Sequence, residues 1–407
     1  MTLFKRKAPS KDSATDSSKK DKGSWRRPAN TAFKQQRLKA WQPILTPKTV
    51  LPTFFIIGIL FAPIGGVLLW GSSLVTEITL DYTDCDSLSS SPSNDSLTFE
   101  NMPSNRFEYR LRTSDEHAFF NTPKYAFLDN SNNASVTDPT MEQQCVIEFD
   151  IPAQIGPTVL LYYKLTNFYQ NHRRYVKSLD ANQLKGQNRS AKTLDKSDCK
   201  PLATIDHKPI YPCGLIANSI FNDTFSDPIL QNPNGDAGSS VQTYTFSSIG
   251  IAWPGEAKKY VSSPITPTGG YSSLSDIVPP PNWAKRYPNY TEDNPPPDLR
   301  RDEHFQNWMR TAGLPTFTKL WGRNDTTAMA KGTYRIIIGL NYPVKTYKGT
   351  KSIVISTVSW IGGKNPFLGW AYVAAAALFV LLAILGTVRH LVKPRRLGDM
   401  SLLSWNR

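Results

Sequence analysis

The sequence predicts a membrane protein in which two transmembrane helices flank a large antiparallel β-rich ectodomain, a decorated β-sandwich. Three observations carry this. Leu51–Trp70 is a run of 20 residues without a charge, and Phe367–Val388 is a run of 22. All six N-glycosylation sequons, starting at Asn94, Asn133, Asn188, Asn222, Asn289 and Asn324, lie between these runs, as do all four cysteines, Cys85, Cys145, Cys199 and Cys213. The same interval alternates apolar and polar residues, as at Phe107/Tyr109/Leu111, Ile147/Phe149/Ile151 and Ile353/Ile355. That period belongs to strands with one buried face.

A helix rises about 1.5 Å per residue, so about 20 apolar residues cross the roughly 30 Å hydrocarbon core. Both runs are long enough, and Trp70, Trp360, Trp370 and Tyr372 stand near the predicted interfaces, where amphipathic rings prefer to sit. Fifty residues precede the first run and no small-residue cleavage site follows it, so it reads as an uncleaved signal anchor. The expected segments are a disordered tail (1–30), a basic juxtamembrane stretch (31–49), the first span (50–71), the ectodomain (72–365), the second span (366–388) and a tail (389–407). The first tail is rich in Lys, Ser and Asp and poor in aromatics, too little apolar surface to order itself.

Charge sets the orientation. Residues 1–48 hold 13 Lys and Arg against 3 Asp, residues 389–407 hold 5 against 1, and the remainder is balanced at 29 against 29. The net +14 therefore belongs to the tails, and residues 76–95 contain no Lys or Arg. The positive-inside rule puts both tails in the cytosol and the middle in the lumen or outside the cell. The basic charge is thus a topology signal, and no nucleic-acid partner is expected. In 31–49, Phe33, Arg37 and Trp41 mix aromatic and basic character, and a short interfacial helix ending near Pro43 would let them touch anionic lipid or a partner's cytosolic face.

Within the ectodomain, Val159–Leu165 and Tyr334–Tyr342 are strand-like, while Phe168–Leu179 and Asp302–Arg310 are the best helical stretches. Residues 86–96 and 231–240 are polar insertions. Residues 279–297 carry two PPP runs and read as a rigid strap over the surface. An oxidising compartment favours two disulfides among the four cysteines. Three pairings are possible, and Cys199 and Cys213 are close enough for a local clamp.

The sequence offers little chemistry. His117, His172, His207, His304 and His390 stand in no HExxH context, no GxSxG is present, and no Gly-rich loop cradles phosphate. No catalytic residue, cofactor or metal is expected. The one acidic pair, Asp84-Cys85-Asp86, would suit a type II lumenal glycosyltransferase holding a metal-bound sugar nucleotide, but it straddles a disulfide candidate and the second span does not fit that class. Neither span holds an ionisable residue, so transport by this chain alone is not expected. The spans instead carry small residues. Gly58, Ala62 and Gly66 form a small-xxx-small stripe, repeated at Ala371 and Ala375. Such stripes let backbones approach, and a third helix from a partner is assigned to them in preference to the two spans packing only on each other. Pro63 is expected to kink the first span.

Several stretches resemble one family, the non-catalytic β-subunits of phospholipid flippases (type IV P-type ATPases), known as the cell-division-control-fifty / ligand-effect-modulator family. They are Asn30–Pro52 (NTAFKQQRLKAWQPILTPKTVLP), Tyr162–Asp180 (YYKLTNFYQNHRRYVKSLD), Tyr211–Phe225 (YPCGLIANSIFNDTF), Ile277–Trp283 (IVPPPNW), Phe305–Arg310 (FQNWMR), Gly332–Val344 (GTYRIIIGLNYPV) and Gly362–Gly369 (GGKNPFLG). They cover most of the chain in the family's order, and fungal members are the most similar. The resemblance implies a heterodimer with a ten-helix catalytic subunit. This chain would escort that subunit from the endoplasmic reticulum towards the Golgi, endosomes or plasma membrane and support ATP-driven phospholipid movement to the cytoplasmic leaflet. It also implies the pairs Cys85–Cys145 and Cys199–Cys213, and occupancy of the Asn222 sequon. The chain lacks the DKTGT phosphorylation motif, as a β-subunit should. The other readings are a free-standing adhesion or receptor ectodomain and the glycosyltransferase above.

Overall fold

A computed structural model describes residues 30–38, 45–91, 93, 96–131, 133, 136, 138–231, 242–267 and 269–394. The described residues divide into two compact units, Phe55–Leu381 on one hand, and on the other the residues up to Phe54 with those from Leu382 on.

Two long helices are α1 (Pro47–Ser73) and, at the other end, α3 (Pro366–Val392). Each has 27 residues, about 40 Å of helix. Both exceed the apolar runs: α1 starts three residues before the expected span, and α3 continues past Arg389. The main strands are β1 (Glu77–Asp81), β2 (Phe107–Arg110), β3 (Lys124–Asp129), β4 (Gln143–Ile151), β5 (Val159–Leu165), β6 (Phe317–Asn324), β7 (Gly332–Gly339) and β8 (Lys351–Thr357). A short helix, α2 (Glu303–Met309), precedes β6.

One sheet has the order β6-β5-β8-β1-β2, antiparallel throughout. The other runs from Gln242–Thr243 through Ile229–Leu230, β7, β4 and β3 to Glu100–Asn101, with Thr224–Phe225 also pairing with β7. Alternate residues of both sheets meet in one core. Ile78 and Leu80 of β1, Leu161 of β5 and Ile353 and Ile355 of β8 share it with Ile147 and Phe149 of β4 and Ile336 and Ile338 of β7. Burying each such side chain is worth about 1.5–3 kcal/mol.

The long insertion between β5 and β6 builds a second, aromatic core. Tyr163 stacks on Phe221 with ring centroids 3.9 Å apart, and Trp308, Phe305, Trp283 and Tyr342 close around them. Phe225 and Trp321 pack against both cores and join them. The expected helix over Phe168–Leu179 shrinks to Arg173–Lys177 because Phe168 is drawn into this core, against Tyr175, Trp308 and Tyr347. Asp302 caps α2 by accepting from the Phe305 N–H at 2.9 Å, so the second expected helix starts where its sequence predicts.

The strands place the two helices. α1 leads directly into β1 and β8 leads towards α3, and β1 and β8 are neighbours, with Glu77 opposite Ser356. The join is tied further. The Lys364 ammonium donates to the carbonyls of Val75 (2.9 Å) and Leu111 (2.8 Å), and the Asn365 N–H donates to Ser72 Oγ at 3.0 Å.

In β6 the buried Lys319 ammonium donates to the carbonyls of Asn307, at 2.7 Å, and Arg310. Burial, then the neighbouring Arg310 guanidinium, lowers its pKa to about 8. The unfolded chain would hold that proton up to about pH 10.4. Between pH 8 and 10 the unfolded state therefore binds more protons, and this lysine's contribution to stability rises with pH. Thermal unfolding of wild type and Lys319→Met across pH 7–10 should show that extra rise in wild type alone; parallel profiles would show that Lys319 keeps its proton when folded.

Candidate functional site

Where helix meets helix, small residues make the contact. A Cβ on Gly58 would lie 2.5 Å from Val380 Cγ2 and 3.2 Å from the Ala376 carbonyl. One on Gly65 would lie 2.8 Å from Val373 Cγ2 and 2.9 Å from the Gly369 carbonyl. Phe61 adds a ring contact to Tyr372 at 5.1 Å. Gly58, Gly65 and Ser72 are buried at intervals of seven, as are Gly369, Ala376 and Ala383. This corrects the expected stripe. Gly58 faces α3, whereas Ala62, Gly66 and Ala371 are exposed and Ala375 is half-buried. Seven residues nearly complete two helical turns with only about 20° of drift, so a heptad spacing, not the four-residue one, tracks one face. What remains open is an outer face on which Ala62 and Gly66 sit one turn apart.

In the other unit, Phe33 lies in a single turn closed by the Arg37 N–H to the Ala32 carbonyl at 2.7 Å, and it is 76% exposed. The Arg37 guanidinium hydrogen-bonds the Asn30 side chain. Trp41 lies outside the described residues, as do Asn94, the tails 1–29 and 395–407, and the insertion 232–241.

The Tyr211–Phe225 loop is the polar hub of the ectodomain. Its Asp223 is fully buried. One carboxylate oxygen accepts from the Lys351 ammonium (2.8 Å) and the Tyr82 hydroxyl (2.9 Å); the other accepts from the N–H groups of Asn341 (2.5 Å) and Tyr342 (2.6 Å). Burial, and then the Asp223 charge, hold the Tyr82 phenol well above its ordinary pKa. The loop turns at Gly214, whose φ of 103° favours glycine and where a Cβ would strike the Ser178 carbonyl. The proline-rich strap fastens onto it. Trp283 Nε1 donates to the Ala217 carbonyl at 2.9 Å, the Asn282 N–H to Asn218 Oδ1 at 2.9 Å, and the Tyr290 hydroxyl to the Tyr211 carbonyl at 2.7 Å.

Cys85 is bonded to Cys145 in the main core, and Cys199 to Cys213 in a small satellite core with Leu194 and Ile210. Of the sequon asparagines described, Asn133, Asn188 and Asn289 are exposed. Asn324 is half-buried and its amide donates to the Thr245 carbonyl at 2.9 Å. Asn222 is half-buried beside the hub.

The carboxylates of Asp84 and Asp86 have separate cationic partners. Asp84 pairs with Arg106, and Asp86 with Lys345 at 2.6 Å. With Cys85 between them locked in a buried disulfide, they do not converge on a shared ion. Among the described residues no three His, Cys, Asp or Glu gather as a ligand set.

The fold defines a class: two helices that fit a two-pass membrane protein, carrying a disulfide-bonded β-sandwich. The profile of the LEM3 (ligand-effect modulator 3) family / CDC50 family matches residues 68–396. The chain is 40% identical to the "Phospholipid-transporting ATPase accessory subunit CDC50" of Chaetomium thermophilum, across 100% of this chain and 98% of that protein. It is 43% identical to "Phospholipid-transporting ATPase accessory subunit CRF1" of Saccharomyces cerevisiae, over 96% and 91% of the two chains. With "Cell cycle control protein 50A" of Mus musculus it shares 38% over 90% of each. The chain belongs to the LEM3/CDC50 family.

Proposed function

We propose that this chain is the non-catalytic accessory subunit of a phospholipid-transporting ATPase. The observation that carries this is 40% identity, over 100% of this chain and 98% of the other, to a protein named as such a subunit. In this reading it forms a heterodimer with a type IV P-type ATPase, both its termini are cytosolic, and its ectodomain is lumenal or extracellular. It stabilises the catalytic subunit, accompanies it out of the endoplasmic reticulum to the Golgi, endosomes or plasma membrane, and supports its cycle. ATP hydrolysis and the nucleotide site belong to the partner. The geometry suits the role, because the helices adjoin neighbouring strands of one sheet and their sheet-side ends are tied there by Lys364. Phe33, Arg37 and Trp41 are assigned to cytosolic contact with lipid or partner.

The test is affinity purification from gently solubilised native membranes with mass spectrometry of what is recovered. A P-type ATPase at near-equal amount is expected; the folded chain recovered alone would refute the reading, as would normal export and lipid flipping by the ATPase after this chain is deleted. The open helix face gives a finer test. Ala62 is exposed and outside the α1–α3 seam, so Ala62→Leu should lower ATPase recovery several-fold with the ectodomain still folded. Unchanged recovery would take that face out of the interface.

A further inference from the structure

At the end of the first sheet beside α1 and α3, Glu77, Ser356, Leu160 and Arg323 stand in one row; at the far end Lys351, Leu165 and Phe317 do. β8 runs between the rows from Lys351 to Ser356, about 17 Å. The chain leaves β5 at the far end and forms the short helix Arg173–Lys177. There Arg173, Arg174 and Lys177 line, together with Lys200, a cleft of about 470 Å³ whose one acidic residue is Asp198. All four cations are exposed, and none has an ion-pair partner among the described residues. Arg189 in the same insertion is, by contrast, neutralised by Asp180 at 3.2 Å. Unpaired charges of one sign lining a cleft focus a field that attracts the opposite sign. The two walls are held independently. The Tyr175 hydroxyl pairs with Ser219 Oγ at 2.8 Å and its ring packs on Phe168, while Lys200 follows Cys199, which is bonded to Cys213. Next along the chain, Tyr169 is 57% exposed, and Leu314 is 69% exposed. Their loops are joined by the Phe168 N–H to the Pro315 carbonyl at 3.1 Å and the Asn171 amide to the Gly313 carbonyl at 3.0 Å. Arg and Tyr are among the side chains enriched where proteins bind one another.

We propose that this far end of the ectodomain is a docking surface for an acidic peptide segment of another protein on the same side of the membrane. Its carboxylates are seated among Arg173, Arg174, Lys177 and Lys200, and an apolar side chain beside them lies on Tyr169 and Leu314. The bilayer that α1 and α3 fit is at the opposite end of the sheet, so its headgroups are not the source of the negative charge. A free phosphate would leave Tyr169 and Leu314 unused. The contact goes beyond the pairing with an ATPase and does not depend on which ATPase is bound.

The test uses the full chain, purified with whatever ATPase accompanies it. The probe is a fluorescein-labelled peptide of Asp and Glu with flanking Leu, compared with the same peptide carrying Asn and Gln. Fluorescence polarisation is read at about 0.15 M salt, where exposed charges more than roughly 8 Å apart are largely screened. The acidic peptide should bind and the uncharged one should not. Arg174→Glu on one wall and Lys200→Glu on the other should each weaken binding about tenfold; Lys200→Gln replaces the reversal if that variant does not fold. Lys331→Glu, an exposed lysine before β7, should leave binding unchanged. Absence of binding by the acidic peptide would overturn the proposal, and so would an equal loss in Lys331→Glu, which would mark general attraction to a basic protein. Displacement of the peptide by an equal concentration of inorganic phosphate would assign the cleft to a free anion instead. Phosphatidylserine vesicles binding more tightly than the peptide through Arg174 and Lys200 would assign it to a membrane.

Discussion

Lys351→Met should destabilise the ectodomain by about 3–5 kcal/mol, the usual cost of removing one partner from a buried ion pair. Asp223 is fully enclosed and the Lys351 side chain is 7% exposed, so water cannot replace the lost ammonium. Tyr82 and the Asn341 and Tyr342 N–H groups would still donate to the carboxylate, but they leave its charge uncompensated. Thermal unfolding of the purified chain should fall by roughly 10 °C. Asp223→Asn gives the converse defect, a buried ammonium without its anion, and leaves the sequon intact as Asn-Asn-Thr, so any loss of folding is separable from loss of the glycan site. The double variant Asp223→Asn/Lys351→Met should lose less than either single variant, because the penalty is for an unpaired charge and not for absence of the pair. Single variants that unfold with the wild type would show that the hub contributes nothing to stability. A double variant worse than both would assign the effect to packing.

The hub also marks how far the sequence is legible. The two spans were readable because uncharged length is a local property, and the β-sandwich was readable where apolar residues alternate, as at Ile353/Ile355 and Ile147/Phe149/Ile151. Two strands had no such signature, and a third, β1, alternates over too short a run to read. β3 buries four consecutive residues, Tyr125 to Leu128, a run without the alternation that marks a one-faced strand. β6 breaks its alternation at an irregularity between Leu320 and Gly322 and buries a lysine. β1 is only five residues long, immediately after the membrane helix. The small-residue stripe shows a different failure. Gly58 belongs both to the four-residue series ending at Gly66 and to the seven-residue series through Gly65, and only the partner helix decides between them. The Tyr211–Phe225 motif was visible, but its anchoring was not, since Lys351 lies 128 residues beyond Asp223 and nothing local links them. A cavity beside the same loop is lined by Asn222 together with Trp283 and Tyr287 of the strap and His304 of α2, so no single stretch announces it.

The two disulfides should differ in what they contribute, with Cys145→Ala more damaging than Cys213→Ala. Cys85 and Cys145 are separated by 60 residues, Cys199 and Cys213 by 14. By loop-closure entropy the longer loop is worth about 4 kcal/mol and the shorter about 3. Position widens the gap. Cys145 lies mid-strand in β4, opposite Phe127 of β3 and Ile338 of β7, so its bond ties the second sheet to the segment that follows β1 in the first. Cys213 lies in the satellite core, where its N–H is also held by Gln183 Oε1 at 2.9 Å, so part of the local geometry survives loss of the bond. Alanine is chosen because serine would add a buried hydroxyl needing its own partner, a separate cost of about 1–3 kcal/mol if unmet. The measurement is thermal unfolding of each variant, paired with the fraction of chain whose glycans mature beyond the endoplasmic-reticulum form. Cys145→Ala should be wholly retained, and Cys213→Ala retained in larger part than wild type but not completely. The reverse order would mean that the satellite clamp, which stiffens the Tyr211–Phe225 loop, limits folding more than the link between the sheets, and the entropic ranking would fail.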